Sequence, residues 1–102
     1  MKYVMAWTSR LGGSGKDNED GVQRALQLFS KWQPGPATFH GFYGYADGTG
    51  GLAIIEAADA ATIQKTIAPW TAWLSFEVRP ILPIQESAAI GGEAIAWRAA
   101  NS

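Results

Sequence analysis

Along residues 2 to 8, strand-favouring side chains alternate between two faces, Tyr3, Met5 and Trp7 on one and Val4, Ala6 and Thr8 on the other. That period of two predicts a first strand. A glycine-rich loop over residues 9 to 16 follows, after which Asp17 or Asn18 can cap a helix with Glu19 and Asp20 in its first turn, where acids suit the positive end of the helix dipole. Val22, Leu26, Phe29 and Trp32 then recur at helical spacing, while Gln23, Arg24, Gln27 and Lys31 take the outer side. Pro34-Gly35-Pro36 ends that helix.

From residue 37 the period returns to two. Phe39, Gly41, Tyr43 and Tyr45 are expected on one face, with Thr38, His40, Phe42 and Gly44 on the other. Asp47-Gly48-Thr49-Gly50-Gly51 reads as a reverse turn and Leu52 to Ala57 as an apolar strand, so residues 37 to 57 form a hairpin. Asp59 can cap a second helix carrying Ile63, Ile67, Trp70 and Leu74 on one stripe, with Pro69 forcing a kink or a restart. Residues 75 to 82 are the last strand, where Pro80 suits an edge. Residues 85 to 100 are a final helix with Ile90, Ala94 and Trp97 at helical spacing. Its central Gly91-Gly92 costs about 2 kcal/mol relative to alanines, so this helix needs a surface to lie on.

The order is therefore β-α-β-β-α-β plus a helix, an α+β ferredoxin-like arrangement in which both helices cover one face of the sheet. Every strand carries apolar or aromatic residues on both faces, more than a solvent-facing sheet should show. A homodimer whose sheets close face to face accounts for that excess.

At 102 residues the chain is one domain. It has no cysteine, so it stabilises itself by packing, which association with a second copy would assist. Eight scattered Lys and Arg and a net charge of −1 give no phosphate-binding surface and argue against nucleic acid. No stretch reaches the ~18 apolar residues of a membrane span, and Met1-Lys2 leads straight into the first strand without a signal-peptide core; the expectation is a cytoplasmic protein with no membrane partner.

Three segments carry a resemblance to a known family: Lys2 to Thr8, the hairpin Tyr43 to Glu56, and Trp73 to Leu82. With them the chain resembles the DUF3303 domain, a family of small bacterial proteins within the dimeric α/β barrel superfamily, over residues 2 to about 86. The family pattern places a Trp-His pair at the end of the second strand, where this chain has Tyr43-Gly44, so no histidine role is carried over. The resemblance implies a homodimer with a barrel interior. Proteins of that architecture include cofactor-free monooxygenases, isomerases, haem-binding enzymes and proteins without known activity, and a shared fold does not choose among them.

His40 is the sole histidine, which excludes a multi-histidine metal site within one chain. As an imidazole it is a candidate general base or donor to a carbonyl, or else a polar residue satisfied on a sheet face. Glu56 closes an apolar run and is either a second acid or base or the strand's exit into solvent. Glu77 and Arg79, two apart, share a face of the last strand; Arg79 either orients an anionic or enol-bearing substrate or forms an edge ion pair with Glu77 worth ~0–1 kcal/mol. Tyr3, Trp7, Phe42, Tyr43 and Tyr45 are the candidate walls of a cavity for a small apolar or aromatic molecule, and otherwise core or dimer interface. Trp70 and Trp73 are expected to pack, and Trp32 and Trp97 to join helix to sheet.

Gly12-Gly13-Ser14-Gly15-Lys16-Asp17 lacks the first glycine of a phosphate-binding loop, having Arg10 there, and has Asp17 in place of the magnesium-binding hydroxyl. Asp47-Gly48-Thr49-Gly50 is a turn and not an aspartic-protease triplet. No nucleophile triad is present, and no motif calls for a cofactor. These residues support two readings: a homodimeric barrel binding a small apolar or aromatic molecule between sheet and helices, acting on it without a cofactor by proton transfer or oxygenation, or a non-catalytic dimerisation or ligand-sensing module.

Overall fold

A computed structural model describes residues 1–10 and 12–102. Of the loop expected at residues 9 to 16, Leu11 lies outside the described residues. The elements run β1 (Lys2–Ser9), α1 (Gly15–Phe29), β2 (Thr38–Gly44), β3 (Gly50–Glu56), α2 (Ala60–Ile67) with a 3-10 turn at Ala68–Trp70, β4 (Leu74–Ile81) and α3 (Ile84–Ala100). The strands form one antiparallel sheet in the order β2-β3-β1-β4. The chain is thus α+β with the ferredoxin-like βαββαβ order and a further C-terminal helix.

The register separates the two faces. Tyr3, Met5 and Trp7 of β1 stand beside Ile55, Ala53 and Gly51 of β3 and beside Pro80, Val78 and Phe76 of β4. This is the helix-covered face. Tyr3, Met5, Ala53, Ile55, Ala57 and Ile63 make the buried core, with Phe39, Ile67, Phe76 and Val78 packed on it. Val4, Ala6, Leu52 and Ile54 lie on the opposite, open face.

Strand β2 departs from simple alternation. Its pairing with β3 shifts by one residue between Phe39 and Gly41, so Phe39 faces Ile55 and Phe42 faces Ala53. His40 is the extra residue of this β-bulge. The even-odd assignment that put Phe42 beside His40 and Phe39 beside Tyr43 is therefore corrected. A bulge advances the phase by one residue, so Phe39 and Phe42 share the covered face and stack with centroids 5.1 Å apart. Tyr43 goes to the open face, where its ring lies over Gly41.

Helix α1 begins earlier than Asp17 or Asn18. Ser14 is its N-cap, accepting the Asp17 N–H at 3.1 Å while Asp17 Oδ2 accepts the Ser14 N–H at 3.2 Å, a reciprocal capping box. Glycine at 13 has φ +74°, and a Cβ there would meet the Asp17 carboxylate at 2.7 Å, so the glycine run serves the cap. The helix ends at Phe29, before the prolines, which leaves Trp32 in the connection. Asp59 caps α2 as expected, its Oδ1 accepting the Thr62 N–H at 2.8 Å, a bond that also holds its carboxyl below the usual range. Pro69 turns the chain into the 3-10 segment instead of continuing α2.

Two further expectations change. Gly50 and Gly51 belong to β3, not to the turn, because backbone and ring atoms crowd both: a Cβ on Gly51 would lie 2.2 Å from the Tyr43 carbonyl oxygen and 2.4 Å from the Trp7 ring. Helix α3 does not lie on the sheet, and Trp97 is not helix-to-sheet core. All residues of α3 are exposed, Trp97 by 67%. The protein measures 62 × 30 × 22 Å with a radius of gyration of 18.3 Å, against about 13 Å for a compact chain of this length.

Candidate functional site

The covered face closes unevenly. Helix α2 buries Ile63 and Thr66, whereas α1 buries no residue and leaves Val22, Leu26 and Phe29 about half exposed or more. Between α1, the 3-10 turn and the sheet lies a cleft of about 290 Å³. Rings of Trp7, Phe29, Trp32, Phe42, Trp70 and Phe76 line it, with Met5, Leu26 and Leu74 among the aliphatic wall. Thr66 is its one polar side chain, and its hydroxyl already donates within α2 to the Thr62 carbonyl at 2.9 Å.

The rings hold one another in edge-to-face geometry, which favours the positive edge of one on the negative face of the next. Trp7 and Phe42 meet at 5.4 Å and 89°, Trp32 and Trp70 at 5.3 Å and 85°, Trp32 and Phe39 at 5.7 Å and 88°. The arrangement follows from local sequence. Glycine at 51 lets the Trp7 indole lie flat across β3, the bulge at His40 turns Phe42 inward, and the 3-10 turn sets Trp70 under α1. Trp70 is 7% exposed, and its buried indole N–H has no acceptor among the described residues.

The ionisable candidates are elsewhere. His40 Nε2 and Glu56 Oε1 pair at 2.7 Å on the open face, with 41% and 46% of their side chains exposed. The hydrogen bond from His40 is the main cause that holds the Glu56 carboxyl below its ordinary value. Arg79 Nη2 donates to Glu77 Oε1 at 2.5 Å, also on the open face and largely exposed. Strands β3, β1 and β4 separate these pairs by two spacings, about 10 Å. The open face thus has an apolar centre, Val4, Ala6, Leu52 and Ile54, flanked by the His40–Glu56 hydrogen bond towards one edge and the Glu77–Arg79 ion pair towards the other.

Of the residues singled out in the sequence, the structure brings Trp7 and Phe42 together in the cleft. It places Tyr3 in the core, its hydroxyl 3.3 Å from Met1 Sδ. Tyr43 stands on the open face, and Tyr45 sits at the β2–β3 turn beside a shallow groove with Ala6, Trp7, Phe76 and Glu77. His40, Glu56 and Arg79 share the open face and do not line the cleft. Sequence reasoning gave Trp32 and Trp70 packing roles, which they have, and missed that they, Phe29 and Phe76 also wall the cleft. Periodicity could place each ring on the covered side; it carried no sign that α1 stands off from the sheet.

Among the described residues, no cluster of three or more His, Asp or Glu could hold a metal ion, and no helix is long and apolar enough to cross a membrane. None of the curated proteins compared with the chain matches it. The sequence does match the family described as a domain of unknown function, DUF3303, over residues 1–95. That match spans the sheet, α1, α2 and most of α3, and the chain belongs to the DUF3303 family.

Proposed function

We propose that the protein is a homodimeric binding module for a small apolar or aromatic molecule, held in the cleft between α1 and the sheet. The observation that carries this reading is the lining of the cleft: six aromatic rings and aliphatic side chains, with the Thr66 hydroxyl already bonded within α2 and the buried indole N–H of Trp70 left as an orphaned donor. An apolar cavity of this kind releases little by admitting water and gains dispersion contacts from an apolar guest. A space of about 290 Å³ takes a one- or two-ring molecule. With no acid or base in its wall, the cleft binds without supplying proton transfer, which favours a ligand-sensing role over an enzymatic one. The open face, apolar at its centre and charged at its rim, has the anatomy of an interface and would pair with itself across a two-fold axis to form the barrel, in the cytoplasm.

The test is a titration of isotopically labelled protein with indole and with naphthalene, followed through the five tryptophan indole N–H signals. Trp32 and Trp70 are expected to shift on binding and Trp97 to stay unchanged. Ala25→Leu, which fills the cleft from α1, should abolish the shifts while raising the melting temperature. Shifts that persist in Ala25→Leu, or none in the wild type, would overturn the reading.

A second reading rests on the His40–Glu56 pair. In a face-to-face dimer the two pairs would line the barrel interior, where a hydrogen-bonded imidazole and carboxylate can move a proton to or from a bound enol or ketone without a cofactor, with Arg79 orienting the oxygen. A set of candidate enols turned over by the wild type but not by His40→Ala would support it.

A further inference from the structure

Helix α3 is the feature that neither the fold nor the cleft explains. It follows β4 after only Leu82 and Pro83, Pro83 being extended at φ −55° and ψ 143°, and it carries the chain away from its own body. Ile84 is 75% exposed, Ile90 51%, Ile95 63% and Trp97 67%. A helix of 17 residues is near the shortest that persists alone in water, and Gly91-Gly92 lie in its middle. Such a helix would draw most of its stability from a surface laid against it.

The surface area says how much must be covered. The chain exposes 7312 Å², whereas a compact monomer of 10.9 kDa exposes about 5,600 Å². The surplus of about 1,700 Å² is twice the ~800 Å² that one partner contributes to a standard interface. Charge narrows the occupant. Two acids, Glu86 and Glu93, stand against one base, Arg98, so α3 offers nothing to an anionic membrane or a nucleic acid. A second copy has the same surplus to cover, and α3 starts from the edge strand whose Glu77, Arg79 and Ile81 border the open face.

We infer that α3 is an exchanged arm, each copy's helix lying on the body of a second copy of this chain and extending the contact made between the open sheet faces. This rests on the dimer proposed above and adds to it. The arm's apolar residues, with Trp97 as the largest, are the anchors. An arm held only by the partner orders on association, so dimerisation and α3 helicity rise together.

Sedimentation velocity on the full-length wild type and on Ile90→Glu/Trp97→Glu tests this, with the emission of Trp97 taken as the difference between wild type and Trp97→Phe. The wild type is expected to be dimeric, the double variant to dissociate at least 100-fold more readily, and Trp97 emission to move to the red as the wild type is diluted through its dissociation. Indole binding in the cleft of the double variant shows that its body is folded and is independent of the arm. A double variant that dimerises as tightly as the wild type overturns the arm and leaves the sheet-face dimer standing. A wild type that is monomeric at every concentration overturns both. A Trp97 emission that moves only on adding phosphatidylcholine–phosphatidylglycerol vesicles overturns the arm in favour of a membrane.

Discussion

The two faces of the sheet are built from the same four strands and differ in what they do with their rings and charges. On the covered face Trp7, Phe39, Phe42 and Phe76 gather with Phe29, Trp32 and Trp70, and no ionisable side chain lines their cleft. On the open face the strands present Val4, Ala6, Leu52 and Ile54 with the exposed ring of Tyr43, and His40, Glu56, Glu77 and Arg79 pair off towards the edges. The lesson is a division of labour. A small domain without crosslinks concentrates its dispersion energy on one side, where loss of any ring is felt, and keeps on the other a surface whose polar groups are satisfied whether or not a partner is present.

The largest effect that would break this contrast is on the covered side. Trp70→Ala should cost about 3–5 kcal/mol in urea unfolding, while Trp70→Phe, which keeps a ring and removes the orphaned N–H, should cost under about 1.5 kcal/mol. Equal losses in the two variants would mean that the indole N–H has a partner in solution. Next, Gly51→Ala pushes a methyl into the Trp7 ring and the Tyr43 carbonyl oxygen, and about 2–3 kcal/mol of stability should go with it; a nuclear Overhauser contact between the Trp7 and Phe42 rings should weaken in the same variant.

On the open side the expected effects are on association, not on the fold. Ile54→Glu should leave the circular dichroism unchanged and raise the dissociation constant of the proposed dimer at least tenfold by sedimentation, since a carboxylate buried unpaired would disfavour its interface. The smallest effect concerns Glu56. Its folded value lies below its ordinary one because of His40, so the pair's contribution is present above the ordinary carboxylate range and fades as pH falls through the lowered folded value. Carbon-detected titration should find Glu56 ionising below the ordinary carboxylate range, and His40→Ala should return it to that range. A Glu56 that titrates identically in both proteins would dissolve the pair.

Much of this was legible in the residues. The element order, the hairpin, the Asp59 cap and the restart at Pro69 follow from local periodicity and cap chemistry, which act over a few residues. What escaped depends on more distant partners. The extra residue at His40 is set by pairing with β3 and has no signature within β2. The start of α1 at Ser14 is the exception, a local feature obscured by the competing caps Asp17 and Asn18 and selected by the reciprocal bond between Ser14 and Asp17. The candidate site divided along the same line. Each ring and each charge was found singly, but which of them meet is decided by strand phase and by how far α1 stands from the sheet.

The bulge in β2 also holds a side chain that the ring packing of the covered face does not depend on. Deleting His40 alone would remove the extra residue and leave the other pairs in place, Phe39 opposite Ile55, Gly41 opposite Ile54 and Phe42 opposite Ala53, so the rings would keep their faces and only Glu56 would lose its partner. The polar pair at the edge of the open face could thus be lost while the ring packing of the covered face stays as it is.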